Sequence, residues 1–227
     1  MDYRHERKYI CSEAQLTVIR ARLLPLMSPD EHDASGRGYL VRTVYFDDPD
    51  DRFLKDNLYG FDNRVKYRIR AYDLSDRSIY LETKTKKSGL GKKESCALSR
   101  EEFFSLLNGT CPGFSSQAEK PMRRLCVEML SAMCRPRILV EYRRLALVSP
   151  VGNVRVTFDR NIACSGELKR FFEPELIRIP VLPAGQHILE VKYDELLPSY
   201  LLEAMDIGEL MQTTFSKYVM SRMALSE

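Results

Sequence analysis

A chain of 227 residues, 44% of them hydrophobic, is long enough for one sizeable domain with its own core, expected here to span 1–227. Its 35 basic and 32 acidic residues leave a formal charge of only +3, which excludes coating of nucleic acid by bulk charge and shifts the question to where the cations sit. No apolar run approaches the roughly 20 residues that span a bilayer, so a soluble, cytoplasmic protein is expected, and any membrane role requires a partner protein not visible in this chain or a portion of a longer protein.

The N-terminus, Met1-Asp2-Tyr3-Arg4-His5-Glu6-Arg7-Lys8, is charged and lacks an apolar segment behind it, so no signal peptide is expected. Arg4 to Cys11 alternates as a strand and leads into Ser12-Glu13-Ala14-Gln15, a capping box that opens a helix with Leu16, Ile19 and Leu23 on one side. Pro25 and Pro29 end that helix. Beyond the loop around Ser35-Gly36-Arg37-Gly38, a strand runs from Tyr39 to Phe46, and Asp47-Asp48-Pro49-Asp50 turns the chain into a short helix over about 51–58.

Three strands follow, at about 64–73, 78–87 and 92–98, and the short turns between them make them antiparallel neighbours. Ser99-Arg100-Glu101-Glu102 is a second capping box with Leu98 and Phe103 as its hydrophobic staple, opening a helix to about Asn108-Gly109. After a Gly/Pro/Ser-rich loop, Pro121 suits the first turn of a helix in which Met122, Leu125, Met129 and Met133 recur at helical spacing, a pattern of core packing. Strand character returns at 137–148 and 154–160, a proline-punctuated connection covers 166–186, and 187–195 is the clearest late strand. Pro198 opens a short helix, and Thr213 or Thr214 caps a last helix carrying Lys217 and Arg222. The six cysteines show no ligand spacing and read as reduced thiols. About eight strands with helices between hairpins argue an α+β fold built on an antiparallel, closed or nearly closed β-barrel.

What the strands share is alternation with cations on the polar face. Side chains two apart on a strand point the same way. One face therefore collects Glu6 and Lys8; Lys66, Arg68 and Arg70; Glu82, Lys84 and Lys86; Lys93 and Ser95; Arg144; Arg155, Thr157 and Asp159; and Glu190, Lys192 and Asp194. The other collects Tyr67, Ile69, Ala71, Leu81, Cys96, Leu98, Val154, Val156, Phe158, Leu189, Val191 and Tyr193, a set that helices must cover. An ordinary sheet with a solvated face is the bland reading, but such a face mixes signs, whereas this one is mostly Lys and Arg. Like charges on neighbouring strands destabilise the pair, and an anionic ligand relieves them. Arg suits bidentate phosphate contact and Lys acts as a point charge, which fits a chain of phosphates. Glu190, with Glu82 and Glu6, offers the hard oxygens that suit Mg²⁺ or Mn²⁺, although carboxylates in such surroundings also serve as salt-bridge partners.

Eight fragments in order, Arg4-His5-Glu6-Arg7-Lys8-Tyr9, Thr43-Val44-Tyr45-Phe46-Asp47, Tyr67-Arg68-Ile69-Arg70, Leu81-Glu82-Thr83-Lys84, Tyr142-Arg143-Arg144, Arg155-Val156-Thr157-Phe158-Asp159, Leu189-Glu190-Val191-Lys192 and Phe215-Ser216-Lys217-Tyr218, resemble the VTC domain. That is the polyphosphate polymerase module of the vacuolar transporter chaperone complex, within the wider group of triphosphate tunnel metalloenzymes. By the resemblance Lys8, Arg68, Arg70, Lys84, Lys93, Arg144, Arg155 and Lys217 match phosphate-contacting positions, and Glu190 matches the metal-binding glutamate. Lys192 joins the phosphate-binding set from the same face. Arg4 replaces the first glutamate of the wider group's ExExK pattern, which favours the VTC branch, and Ser95 stands where a second basic residue is frequent beside Lys93.

The implied activity is metal-dependent transfer of the terminal phosphoryl of ATP to a polyphosphate chain. Arg68, Arg70, Lys84 and Glu190 form the catalytic set, with Mn²⁺ or Mg²⁺ as cofactor. The nucleophile is an ionised phosphate oxygen, so no side-chain base is needed. Water in its place makes the protein a tripolyphosphatase or nucleoside triphosphatase, and then Glu6, Glu82 or Asp194 is recruited as base. A non-catalytic polyphosphate binder is the third reading. Nucleic acid is disfavoured as partner because no aromatic residues interleave with the cations as stacking platforms.

Overall fold

A computed structural model describes residues 5–33, 36–88, 90–112, 118–208 and 210–226. Arg4, Ser35 and the middle of the Gly/Pro/Ser-rich loop lie outside the described residues. In chain order the elements are β1 (His5–Ser12), α1 (Glu13–Leu23), β2 (Ser28–Pro29), β3 (Tyr39–Asp47), α2 (Arg52–Leu58), β4 (Arg64–Tyr72), β5 (Ile79–Lys87) and β6 (Leu90–Leu98). They continue with α3 (Arg100–Leu107), α4 (Lys120–Ser131), β7 (Arg135–Ser149), β8 (Val154–Ser165), β9 (Ile179–Pro180), β10 (Gln186–Tyr193), α5 (Ser199–Met205), β11 (Met211–Gln212) and α6 (Lys217–Ser226). The fold is α+β, with antiparallel strands and flanking helices.

The chain divides into two compact units. The first comprises residues 1–40, 142–162 and 180–216, and the second 41–141, 163–179 and 217–227. Strands of the first hydrogen-bond in the order β11-β1-β10-β8-β7, with β2 also on β7, and those of the second continue β7-β3-β4-β5-β6. Neither path returns on itself, so the barrel expected from the sequence is not closed by strand hydrogen bonds among the described residues.

Each unit has its own core on the face that the alternation assigned to helices. In the first, Val154, Val156, Phe158, Leu189, Val191 and Tyr193 pack with Leu16, Ile19 and Leu23 of α1 and with Leu201 and Met205 of α5. In the second, Tyr67, Ile69, Ala71, Leu81, Cys96 and Leu98 pack with Phe103, Leu106 and Leu107 of α3 and with Met122, Leu125 and Met129 of α4. Met133 of the expected methionine stripe falls beyond α4 and is exposed.

Both capping boxes form: the Ser12 and Ser99 hydroxyls accept from the Gln15 and Glu102 amides, and the Gln15 and Glu102 side chains accept from the Ser12 and Ser99 amides. The acids before α2 act one turn early. Asp47 accepts from the Phe53 and Leu54 amides, each at 2.9 Å, and Asp48 from the Arg52 amide at 3.0 Å, while Asp51 sits in the left-handed region with no cap of its own. The last helix starts at Lys217, which puts its N-cap position at Ser216, beyond the expected Thr213 or Thr214. Cys111 and Cys126 form a disulfide, against the expectation of six reduced thiols; a spacing of 15 carries no pattern that announces a bond. The remaining cysteines Cys11, Cys96, Cys134 and Cys164 are buried thiols.

Candidate active site

The charged face is realised in each unit as a row of paired ions. In the second unit, strand register sets Tyr45 opposite Arg68, Arg68 opposite Glu82 and Glu82 opposite Ser95, and one step along it aligns Lys66, Lys84 and Lys93 on three successive strands. Glu82 is the centre of this group and is buried. Arg68 Nε donates to its carboxylate at 2.6 Å, Lys93 Nζ at 3.3 Å, and Arg70 stands at 3.9 Å. Burial by itself would raise the Glu82 carboxyl, yet Arg68, Arg70 and Lys93 outweigh it and hold the group well below the usual carboxylate range. Three lysines in register and two arginines line this row around one buried carboxylate. Lys84 and Lys93 are exposed, and Arg70 is buried.

Two residues of this group escape the alternation argument. Tyr45 lies on a strand that is buried almost throughout, so no polar face marks it. Its hydroxyl accepts from Arg68 at 3.5 Å and its ring stacks on Tyr218 of α6 at 5.0 Å. Burial pushes the Tyr45 hydroxyl up, but the charges of Arg68, Arg70 and Lys217 bring its pKa below the ordinary tyrosine value. Lys217, at the start of α6, is among the charges acting on Tyr45; the strand pattern does not single it out, whereas the family resemblance does.

In the first unit, β1, β10 and β8 bring Glu6 opposite Lys192, Lys8 opposite Glu190, Lys192 opposite Arg155 and Glu190 opposite Thr157. Glu190 is buried; Lys192 Nζ lies 2.6 Å from one carboxylate oxygen and Lys8 Nζ 4.0 Å from the other. The Lys8 ammonium also meets Glu6 at 3.1 Å and donates to the Phe215 carbonyl at 3.1 Å. Arg155 pairs with Asp30 at 2.9 Å and reaches the Tyr39 hydroxyl at 3.3 Å, leaving its buried Nε without a hydrogen-bond partner. Asp30 comes from the loop after the two-residue β2, where no periodicity could have flagged it. Arg144 grips Asp159 with its fork: Nε and one terminal nitrogen donate to the two oxygens of this buried carboxylate at 2.7 and 2.8 Å. Burial opposes the Arg144 charge, but Asp159 and, more weakly, Glu190 raise its pKa well above the ordinary value.

A divalent ion can be tested against these donors. Among the described residues no three acidic or His/Cys side chains cluster as a ready-made metal cage. Magnesium-type sites, however, often use only one or two carboxylates plus substrate phosphates. Glu190 and Glu6, both drawn to the same ammonium of Lys8, and the buried Thr157 hydroxyl, which lacks a hydrogen-bond partner opposite Glu190, supply such a set of oxygens. Glu82 does not fit it as well, because Arg68 and Lys93 already hold its two oxygens.

The model of the VTC domain matches residues 3–226. The chain belongs to the VTC-domain family. Solved structures similar to this VTC domain include a candidate adenylyl cyclase from Hippeastrum with a dominant triphosphatase activity, at 14% identity, TM-score 0.61, and coverage of 98% of this chain and 96% of that one. A candidate adenylate cyclase from Bacillus halodurans matches at 15% identity and TM-score 0.53 over 90% of each chain. One from Vibrio parahaemolyticus matches at 10% identity and TM-score 0.51 over 99% of this chain and 98% of that one. At such identities these likenesses show a common fold. No curated protein matches the sequence of this chain. Membership ties the chain to triphosphate and polyphosphate chemistry. No described helix is long and apolar enough to cross a membrane.

Proposed function

We propose that this VTC domain is a cytoplasmic, metal-dependent polyphosphate polymerase that transfers the terminal phosphoryl group of ATP to an inorganic polyphosphate chain. The observation that carries the reading is the Lys66, Lys84 and Lys93 register beside Arg68 and Arg70, a concentration of like charges on neighbouring strands that a bound polyanion would relieve.

Phosphoryl transfer of this kind asks mainly for alignment and charge neutralisation. Arg68 and Arg70 present forks to phosphate oxygens, Lys84 and Lys93 add point charges, and Lys217 and Tyr45 close the same group. Lys8, Lys192 and Arg155 give the first unit's row the same affinity. Binding of phosphate there draws Lys8 and Lys192 off the carboxylates and frees Glu190 and Glu6. Those two, with the Thr157 hydroxyl, would hold Mn²⁺ or Mg²⁺, which supplies neutralisation of the phosphate oxygens when bound. Arg144, fixed on Asp159, contributes to the same field as a structural cation. The attacking phosphate oxygen is already ionised, so no side chain need remove a proton.

The Hippeastrum structure's triphosphatase activity favours hydrolysis as the second reading, with water in place of the chain end. Incubation with ATP and Mn²⁺ separates the two. Long phosphate chains on a gel support polymerisation, stoichiometric free phosphate without chains supports hydrolysis, and neither product leaves only the binder.

A further inference from the structure

The first unit carries a second basic site, on the side of its strands away from Glu190. A cavity of about 240 Å³ is lined by Glu13, Thr17 and Arg20 of α1, Arg37, Arg143 with Arg144 and Leu145 of β7, and Arg160 of β8. Alternation places it. Leu145 packs in the core under α1, so Arg143, two residues earlier on β7, leans the same way, whereas Arg144 turns its guanidinium to Asp159 on the opposite face. Arg160 likewise shares the face of the core residue Phe158 and reaches back to Glu13 on α1. The row that contains Glu190, Lys192, Arg155 and Thr157 occupies the other face of the same strands.

Setting aside Arg144, neutralised by Asp159, four guanidiniums meet one carboxylate here. That carboxylate is shared: both Glu13 oxygens accept from Arg160 Nε, at 3.1 and 3.0 Å, and His187 Nε2 lies 2.9 Å from one of them. Arg20 donates one terminal nitrogen to the Gly36 carbonyl at 3.0 Å, while its Nε is buried with no hydrogen-bond partner. Arg143 is exposed and forms no ion pair or hydrogen bond among the described residues. Guanidiniums brought from four segments to one small cavity outnumber its single carboxylate, and an oxyanion there would take up the donors of Arg20 and Arg143 that this carboxylate does not reach. The space is that of about eight waters, enough for a diphosphate with part of its hydration shell and too small for a nucleotide with its base enclosed.

We infer that this outer cavity is a binding site for a compact phosphate-class oxyanion, of orthophosphate to diphosphate size, held by Arg20, Arg37, Arg143 and Arg160. It is separate from the proposed catalytic rows and stands whether or not they polymerise phosphate.

The test is calorimetric titration of the full chain with pyrophosphate in metal-free buffer, on the wild type, Arg143→Glu, Arg20→Gln and Arg70→Ala. Arg143→Glu is the cleanest variant, because the exposed side chain supports nothing else; thermal melts verify that each variant folds. The inference predicts a binding component that Arg143→Glu and Arg20→Gln each weaken about 10-fold or more and that Arg70→Ala leaves in place. Isotherms of Arg143→Glu and Arg20→Gln that superimpose on the wild type would overturn it, as would a component abolished by Arg70→Ala alone. Long-chain polyphosphate titrated in parallel identifies the source: a loss seen with the polymer and absent with pyrophosphate also contradicts a compact-anion site.

Discussion

Glu82 shows how a buried carboxylate can organise a cationic strand face. Its ionised form is shared by Arg68, Arg70 and Lys93, so Glu82→Gln keeps the shape and removes the common counter-charge. Loss of about 1–3 kcal/mol at neutral pH is expected, read from denaturant midpoints. The pH dependence carries the sign. The folded carboxyl binds its proton more weakly than the unfolded one, so its stabilisation is complete above the ordinary value of about 4.3 and disappears as pH falls from there toward the depressed folded pKa. Melting temperatures from pH 7 down to pH 3 should therefore fall less steeply in Glu82→Gln than in the wild type; parallel curves would show that Glu82 is not so coupled. At the same scale, Glu190→Ala is expected to abolish turnover while leaving the melt near the wild type's, since Lys8 retains Glu6 and the Phe215 carbonyl. Full metal-dependent activity in that variant would remove Glu190 from the metal set.

Among the elements, those specified by local chemistry are the ones most firmly written in the sequence. Ser12 caps α1 with its reciprocal Gln15 bond, and Ser12→Ala should cost about 1 kcal/mol, measurable by urea unfolding. Gly38 is specified differently. It holds a φ of +79°, and a Cβ there would lie 2.6 Å from the Arg144 carbonyl oxygen, so Gly38→Ala combines backbone strain with a push on β7 and should destabilise by about 1–3 kcal/mol. A neutral effect would mean that β7 yields at no cost. The strands that alternate, β4, β5, β8 and β10, could be assigned both faces from sequence because one face is apolar core and the other ionic. β3 could not, being buried on both sides, and Tyr45 was missed with it. Short β2, β9 and β11 have too few residues to show a period, which hid Asp30 as the partner of Arg155. The disulfide was hidden for a related reason, since pairing of Cys111 with Cys126 is a tertiary fact with no local mark.

At the scale of the whole molecule, the two units carry matching chemistry: a row of cations around buried or half-buried carboxylates, backed by an apolar core under helices. The proposed polymerase activity draws on residues of both rows, so a lesion in either is expected to reduce turnover. The direct measurement is the rate of ATP consumption with Mn²⁺, alongside polymer formation on a gel, for the wild type, Arg70→Ala in the second unit and Glu190→Ala in the first. The wild type is expected to make phosphate chains, and each variant to lose at least about 100-fold in kcat/KM, equivalent to about 2.7 kcal/mol of transition-state stabilisation. Turnover equal to the wild type's in either variant, with its fold intact, would contradict the joint role of the two rows.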